Sequence, residues 1–167
     1  EVPALVEVPN AASVAAVAAL YKDQYGIRVL CSGFAALRQD ENLAGLAGTL
    51  LSKTGGIILQ NPLIVKQDNQ QVNWPRKLSG LGVMLSLRSR VAGGARLLPL
   101  QVSYAVREGW NSRLALRSMT SIPAEQFGIS DRVGTIEKGK DADLVILSGE
   151  PFSVAASVMA VMVDGKL

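Results

Sequence analysis

The stretch "GTIEKGKDADLVIL", Gly134 to Leu147, reads as two short strands joined by a tight turn. Just upstream, Ser112 to Met119 has helical spacing. Thr120 or Ser121 then stands ready to cap a second helix, with Pro123 in its first turn and Glu125 suiting the positive end of the helix dipole. Beyond Gly128 the pattern turns to strands, at Val133 to Ile136, Asp143 to Leu147 and Val158 to Val163, the last closed by "DGK". The carboxyl-terminal part therefore reads as helix, helix, hairpin and final strand.

The rest of the chain alternates strand and helix. Ala4 to Val8 is a short apolar strand between Pro3 and Pro9, and Asn10 can cap an alanine-rich helix from Ala11 to Tyr25, closed by Gly26. Ile27 to Cys31 supplies a second strand, followed by a helix from about Phe34 to Leu46. A third strand is Ile57 to Gln60. Asn61 to Asn73 reads as an irregular polar loop, and "WPRKLSG" as a short helix closed by Gly80. Gly82 to Leu87 gives a fourth strand. After it come a glycine-bearing basic loop from Arg88 to Arg96 and a helix from Leu97 to Glu108. Four strand-to-helix units in a row predict a parallel sheet with right-handed crossovers, and so an α/β fold.

Composition limits the chemistry. Apolar residues make up 49% of the 167 and charged ones 19%, which is a globular balance with enough chain for one ordinary core. A formal charge of +3 attracts anions mildly, and no basic run with interleaved aromatics predicts a nucleic-acid partner. No apolar stretch approaches the roughly 20 residues needed to cross a bilayer, so a soluble protein, cytoplasmic or exported, is expected. The single Cys31 lies in an apolar run and reads as a buried, inert thiol. Trp74 and Trp110 read as helix-packing residues, and no glycine-rich phosphate loop is present.

"LALRSMTSIPAEQFGISDRVGTIEKGKDADLVILSGEPF" from Leu114, followed by "VMAVMVDGK" from Val158, resembles the carboxyl-terminal end of the metal-dependent amidohydrolases, in particular the imidazolonepropionase-like and prolidase-like group. More loosely, Ala4 to Leu98 resembles the second half of that family's (β/α)8 TIM barrel, strands five to eight. The resemblance implies a half barrel over 1–128 and part of a composite β-sandwich over 129–167. In the sandwich, Gly139 would permit the turn, Lys140 and Asp141 would stay wet at its tip, and "LVIL" would pack inward.

The family hydrolyses C–N bonds in amides, dipeptides or cyclic amidines with a metal-activated water. Its zinc or other divalent metal is held by histidines after the first, fifth and sixth strands and an aspartate after the eighth. By resemblance these positions fall here at Pro9 after "LVEV", Ser32 after "VLC" and Arg88 after "MLSL". Pro9 has no side-chain donor, Ser32 is a poor neutral ligand, and Arg88 puts a permanent cation where the metal belongs. The chain has no histidine at all, and "RSRVAGGAR" from Arg88 has no carboxylate. Neutral imidazole and carboxylate are what bind zinc and bring its water's pKa to about 7. The expectation is therefore a degenerate site, no bound cofactor, and no hydrolysis by this chain alone.

Other constellations are weaker. Asp141 and Asp143 are expected to serve the turn and solvent. Glu7, the one charge in an apolar strand, is expected to be buried against an ion-pair or hydrogen-bond partner. Ser86, Ser89 and Cys31 lack a histidine base. Arg88, Arg90 and Arg96, with the glycines beside them, form a candidate site for a small anionic ligand at the barrel face that often binds phosphate. Half a barrel leaves two open edges and an apolar interior, so the chain is expected to associate with a copy of itself or with an amino-terminal half, as a binding or structural subunit, or to be a fragment of a longer polypeptide.

Overall fold

The computed structural model describes residues 2–33, 42–60, 62–89 and 94–167. Its centre is a four-stranded sheet in the order β1-β2-β3-β6, formed by Ala4–Glu7 (β1), Val29–Ser32 (β2), Ile57–Gln60 (β3) and Leu85–Arg88 (β6). Every pairing is parallel, as the alternation predicts. Cys31, Ile57, Leu59 and Leu85 join one apolar cluster with Val14, Leu46, Leu50 and Val102 of the surrounding helices. Because side chains alternate across a strand, Leu30, Ser32, Ile58, Gln60, Ser86 and Arg88 lie on the other face.

Helix α1, Ala11–Ala18, continues as a π-helical stretch, Ala19–Gln24. Asn10 caps it as expected, accepting from the Ser13 N–H at 2.8 Å. Of the helix expected from about Phe34 to Leu46, residues 34–41 lie outside the described residues; the helix that follows, α2, is Leu43–Lys53. Asn42 fixes that start by accepting from the Gly45 N–H at 2.9 Å. Helix α3, Trp74–Gly80, matches "WPRKLSG". Helix α4, Gly94–Arg107, starts three residues before the predicted Leu97. Trp74, Trp110 and Cys31 are all in the core cluster.

Of the loop expected from Asn61 to Asn73, Asn61 lies outside the described residues and the rest is not irregular. Ile64–Gln67 (β4) and Gln70–Asn73 (β5) form an antiparallel hairpin. Asp68 and Asn69, with φ of 48° and 64°, make its two-residue turn. Short polar side chains tolerate the left-handed region without glycine, and that turn signal is weaker in a sequence than Asn-Gly.

The carboxyl-terminal part corrects the sequence reading most. Helices α5, Ser112–Arg117, and α6, Ser121–Phe127, stand where expected. Thr120 occupies the cap position of α6, but its hydroxyl donates to the Leu116 carbonyl at 2.8 Å and makes no cap bond. Val133 to Ile136 forms no strand. Asp141 pins this segment as a closed loop, its N–H donating to the Arg132 carbonyl at 2.8 Å and its carboxylate accepting from the Arg132 guanidinium at 2.7 Å. The hairpin forms instead between Leu144–Leu147 (β7) and Val158–Met162 (β8).

The turn at Gly139 has φ +93°, as foreseen. Lys140 is not wet: its side chain is 14% exposed and pairs with Glu137 at 3.2 Å. Nor does "LVIL" pack inward, since Val145 and Ile146 are 60% and 46% exposed. No residue of that ribbon is fully buried, and Gln126 is the last buried residue of the chain.

Candidate functional site

Each strand of the parallel sheet ends on a polar residue: "ALVE" on Glu7, "VLCS" on Ser32, "IILQ" on Gln60 and "LSLR" on Arg88. Register places Glu7 beside Ser32, Ser32 beside Ile58, Ile58 beside Ser86, and Gln60 beside Arg88. The carboxyl ends of the strands thus present one carboxylate, one guanidinium, one amide and two hydroxyls on one face.

Local geometry sets each of these residues. The Val8 N–H donates to the Ser32 carbonyl at 2.7 Å, adding one rung beyond β1. Pro9 follows, with no N–H to continue the ladder, and it is exposed at the turn into α1. Gly33 closes β2 with φ +153°, and a Cβ there would stand 2.3 Å from the Val8 carbonyl oxygen, so a side chain cannot fit. Ser32 is fully buried, and neither its hydroxyl nor that of Ser86 has a hydrogen-bond partner among the described residues.

Arg88 holds the rim together. Its Nη2 donates to Gln60 Oε1 at 3.4 Å and lies 3.8 Å from Glu7 Oε2. The predicted partner for Glu7 is therefore found, but the predicted burial is not: its side chain is 53% exposed, because no described element covers the inward face of the edge strand β1. Arg96 is exposed in the first turn of α4, and Arg90 lies outside the described residues. The basic loop read from Arg88 to Arg96 is thus divided between a strand end and a helix start. Gln60 escaped the sequence reading. The signal that finds it is the polar last residue that all four apolar strands share.

These groups suit hydrogen bonding and ion pairing, not activation of water. Cys31, fully buried on the helix-facing side, has its thiol pushed up to about 11 by burial, far from a reactive thiolate. Asp141 and Asp143 sit away from the rim in turn roles, Asp143 accepting from the Asp164 N–H at 2.9 Å. No three His, Cys, Asp or Glu side chains gather to hold a metal among the described residues. A hydroxyl, a proline and a guanidinium at Ser32, Pro9 and Arg88 do not make a zinc donor set.

The amidohydrolase family model matches residues 48–167. The amidohydrolase tasK of Hapsidospora irregularis is 34% identical over 71 residues, 42% of this chain and 7% of that protein. The imidazolonepropionase of Thermoplasma acidophilum is 28% identical over 112 residues, 62% of this chain and 26% of that protein. Among solved structures, an amidohydrolase from Thermotoga maritima superposes with a TM-score of 0.77 at 24% identity, covering 98% of this chain and 42% of that one. A prolidase complexed with N-methylphosphonate-L-proline gives 0.69 at 18% identity, covering 98% and 44%. The chain therefore spans less than half the length of each of these proteins. No helix among the described residues is long and apolar enough to cross a membrane.

Proposed function

The chain belongs to the amidohydrolase family, and from that premise we propose that it is a carboxyl-terminal portion of the fold in which the metal site is degenerate. Its four parallel strands correspond to strands five to eight of the barrel. Residues 1–128 form the half barrel and 129–167 part of the β-sandwich; the end of burial at Gln126 supports this division. The reaction of its relatives, hydrolysis of a C–N bond by a metal-activated water, is not carried out by this chain alone.

One observation carries the reading. Where a metal-binding rim needs imidazole and carboxylate, this rim ends in Glu7, Ser32, Gln60 and Arg88, and the guanidinium already faces the one carboxylate at 3.8 Å. A dication placed there would be repelled by Arg88 and would find one acid to bind. The half barrel completes itself through association, with another copy or with an amino-terminal half.

The test is metal content and turnover together. The purified chain, incubated with zinc and desalted, should retain well under one zinc per chain and should not hydrolyse imidazolonepropionate or Xaa-Pro dipeptides. Stoichiometric zinc with metal-dependent turnover would reverse the reading.

A second reading, a binding protein for a small anion, draws support from Arg96 in the first turn of the 14-residue helix α4, where backbone amides favour negative charge. Arg88 is the weaker half of such a site, because Glu7 competes for it.

A further inference from the structure

We propose that the chain binds a small oxyanion, a carboxylate or a phosphate, in a basic cleft at the amino-terminal ends of β2 and β3. Lys22, Gly26, Arg28, Lys53 and Gly55 line this cleft, whose volume is about 220 Å³. Arg28 immediately precedes β2 and Gly55 stands just before β3, so the cleft lies at the opposite ends of these strands from Ser32 and Gln60 of the rim. Its walls are the end of the π-helical stretch after α1, the entry to β2 and the end of α2. These are neighbouring parts of one chain, and they do not depend on what pairs with either edge of the sheet.

Three cations line the cleft, and among the described residues no carboxylate does. Lys22 Nζ donates to the Ser52 carbonyl at 3.2 Å, Arg28 Nη2 to the Glu125 carbonyl at 3.2 Å, and Lys53 Nζ to Asp23 Oδ2 at 2.6 Å. Only the last of these partners is charged, and an ammonium or guanidinium with one bond has donors to spare. Lysines in the last turn of a helix ordinarily answer its negative end, and Lys22 and Lys53 both hold that position. Arg28 adds a third cation from a strand entry. The three helix ends touched here bring about half a negative charge each, so together with Asp23 they still leave the cleft positive.

The guanidinium is in place before any ligand arrives. A Cβ at Gly55 would stand 3.0 Å from Arg28 Nε and 2.8 Å from Leu30 Cδ2, so the arginine lies against the glycine, where a side chain would push it away. Its bond to the Glu125 carbonyl holds one arm of the fork. Gly26, with φ +67° and open space around its Cβ position, ends the helical stretch without roofing the cleft. A planar fork held in this way matches the oxygens of a carboxylate or phosphate, and the two ammonium groups beside it supply further charge.

Two-dimensional amide NMR of the purified chain, titrated with sodium phosphate at fixed ionic strength, reads the site directly. The Gly26 and Gly55 signals should move and saturate. Lys22→Gln and Arg28→Gln should each weaken the fitted affinity by about tenfold. Asp23→Asn removes the competing carboxylate and should tighten it by about threefold, a gain that a misfolded variant cannot imitate. The Arg88→Ala, Arg96→Ala double variant should leave these shifts unchanged, which separates this cleft from the rim. Sodium acetate in place of phosphate tells the two oxyanions apart: the one that saturates at lower concentration has the ligand's chemistry. No saturable movement with either anion, or equal affinity in the wild type and all three cleft variants, overturns the proposal.

Discussion

Arg88, the last residue of β6, faces Glu7, the last residue of β1, at 3.8 Å, although these strands are the two opposite edges of the sheet. On a flat sheet three strand spacings would separate them by about 14 Å. The contact therefore runs over the inward face. Its strength is modest, because the two side chains are 31% and 53% exposed and water screens them. Arg88→Ala should lower stability by no more than about 1 kcal/mol, and by less in high salt. Urea unfolding at two salt concentrations measures this, and a loss above about 3 kcal/mol would mean a buried ion-pair network instead.

A much larger effect is expected at Gly56, which opens β3 with φ +113°. A Cβ there would stand 2.3 Å from the Met84 carbonyl oxygen and 2.6 Å from Gln126 Nε2. That amide is fixed, donating to the Gly55 and Met84 carbonyls at 3.3 and 3.2 Å. Gly56→Ala should cost at least about 2 kcal/mol, whereas Gly48→Ala, with open space around its Cβ position, should be neutral or stabilising. Thermal unfolding of the two variants supplies the comparison.

Cys31 gives a pH signature. Burial raises its thiol from 9.0 to about 11, so the folded state holds the proton more tightly than the unfolded chain. The stability this contributes is fully present below pH 9 and is lost as pH rises from 9 to 11. Cys31→Ala should remove that part of the alkaline decline. The native thiol should also resist alkylation at pH 8 and react once urea unfolds the chain; rapid labelling of native protein would contradict its burial.

The anion reading has its own measurement. If Arg88 and Arg96 bind phosphate-bearing ligands, calorimetric titration with inorganic phosphate should show affinity falling at least about tenfold in the Arg88→Ala, Arg96→Ala double variant. Equal affinity would leave both arginines as ordinary surface cations.

The strand-helix alternation, the parallel sheet and the places of β3, α3, α5 and β7 were legible in the residues, because period and punctuation are local properties. So was the lack of imidazole at the rim, since the chain has no histidine. The β4–β5 hairpin was hidden because its turn uses Asp68 and Asn69 in left-handed backbone without a glycine. The pairing of β7 was misread because its nearest neighbour in sequence, Val133 to Ile136, is tied into a loop by Arg132 and Asp141, leaving the more distant β8 as partner.

Residue types and their local spacing thus determined which elements form and that no imidazole stands among them. Tertiary structure alone decided that Glu7 is exposed and faces Arg88 across the sheet, that Gln60 joins them, and that Val145 and Ile146 of the β7–β8 ribbon face outward. The physical reason is the same in each case. Burial and pairing depend on what lies opposite a residue in space, and for an edge strand or a lone ribbon the sequence nearby does not say what that will be.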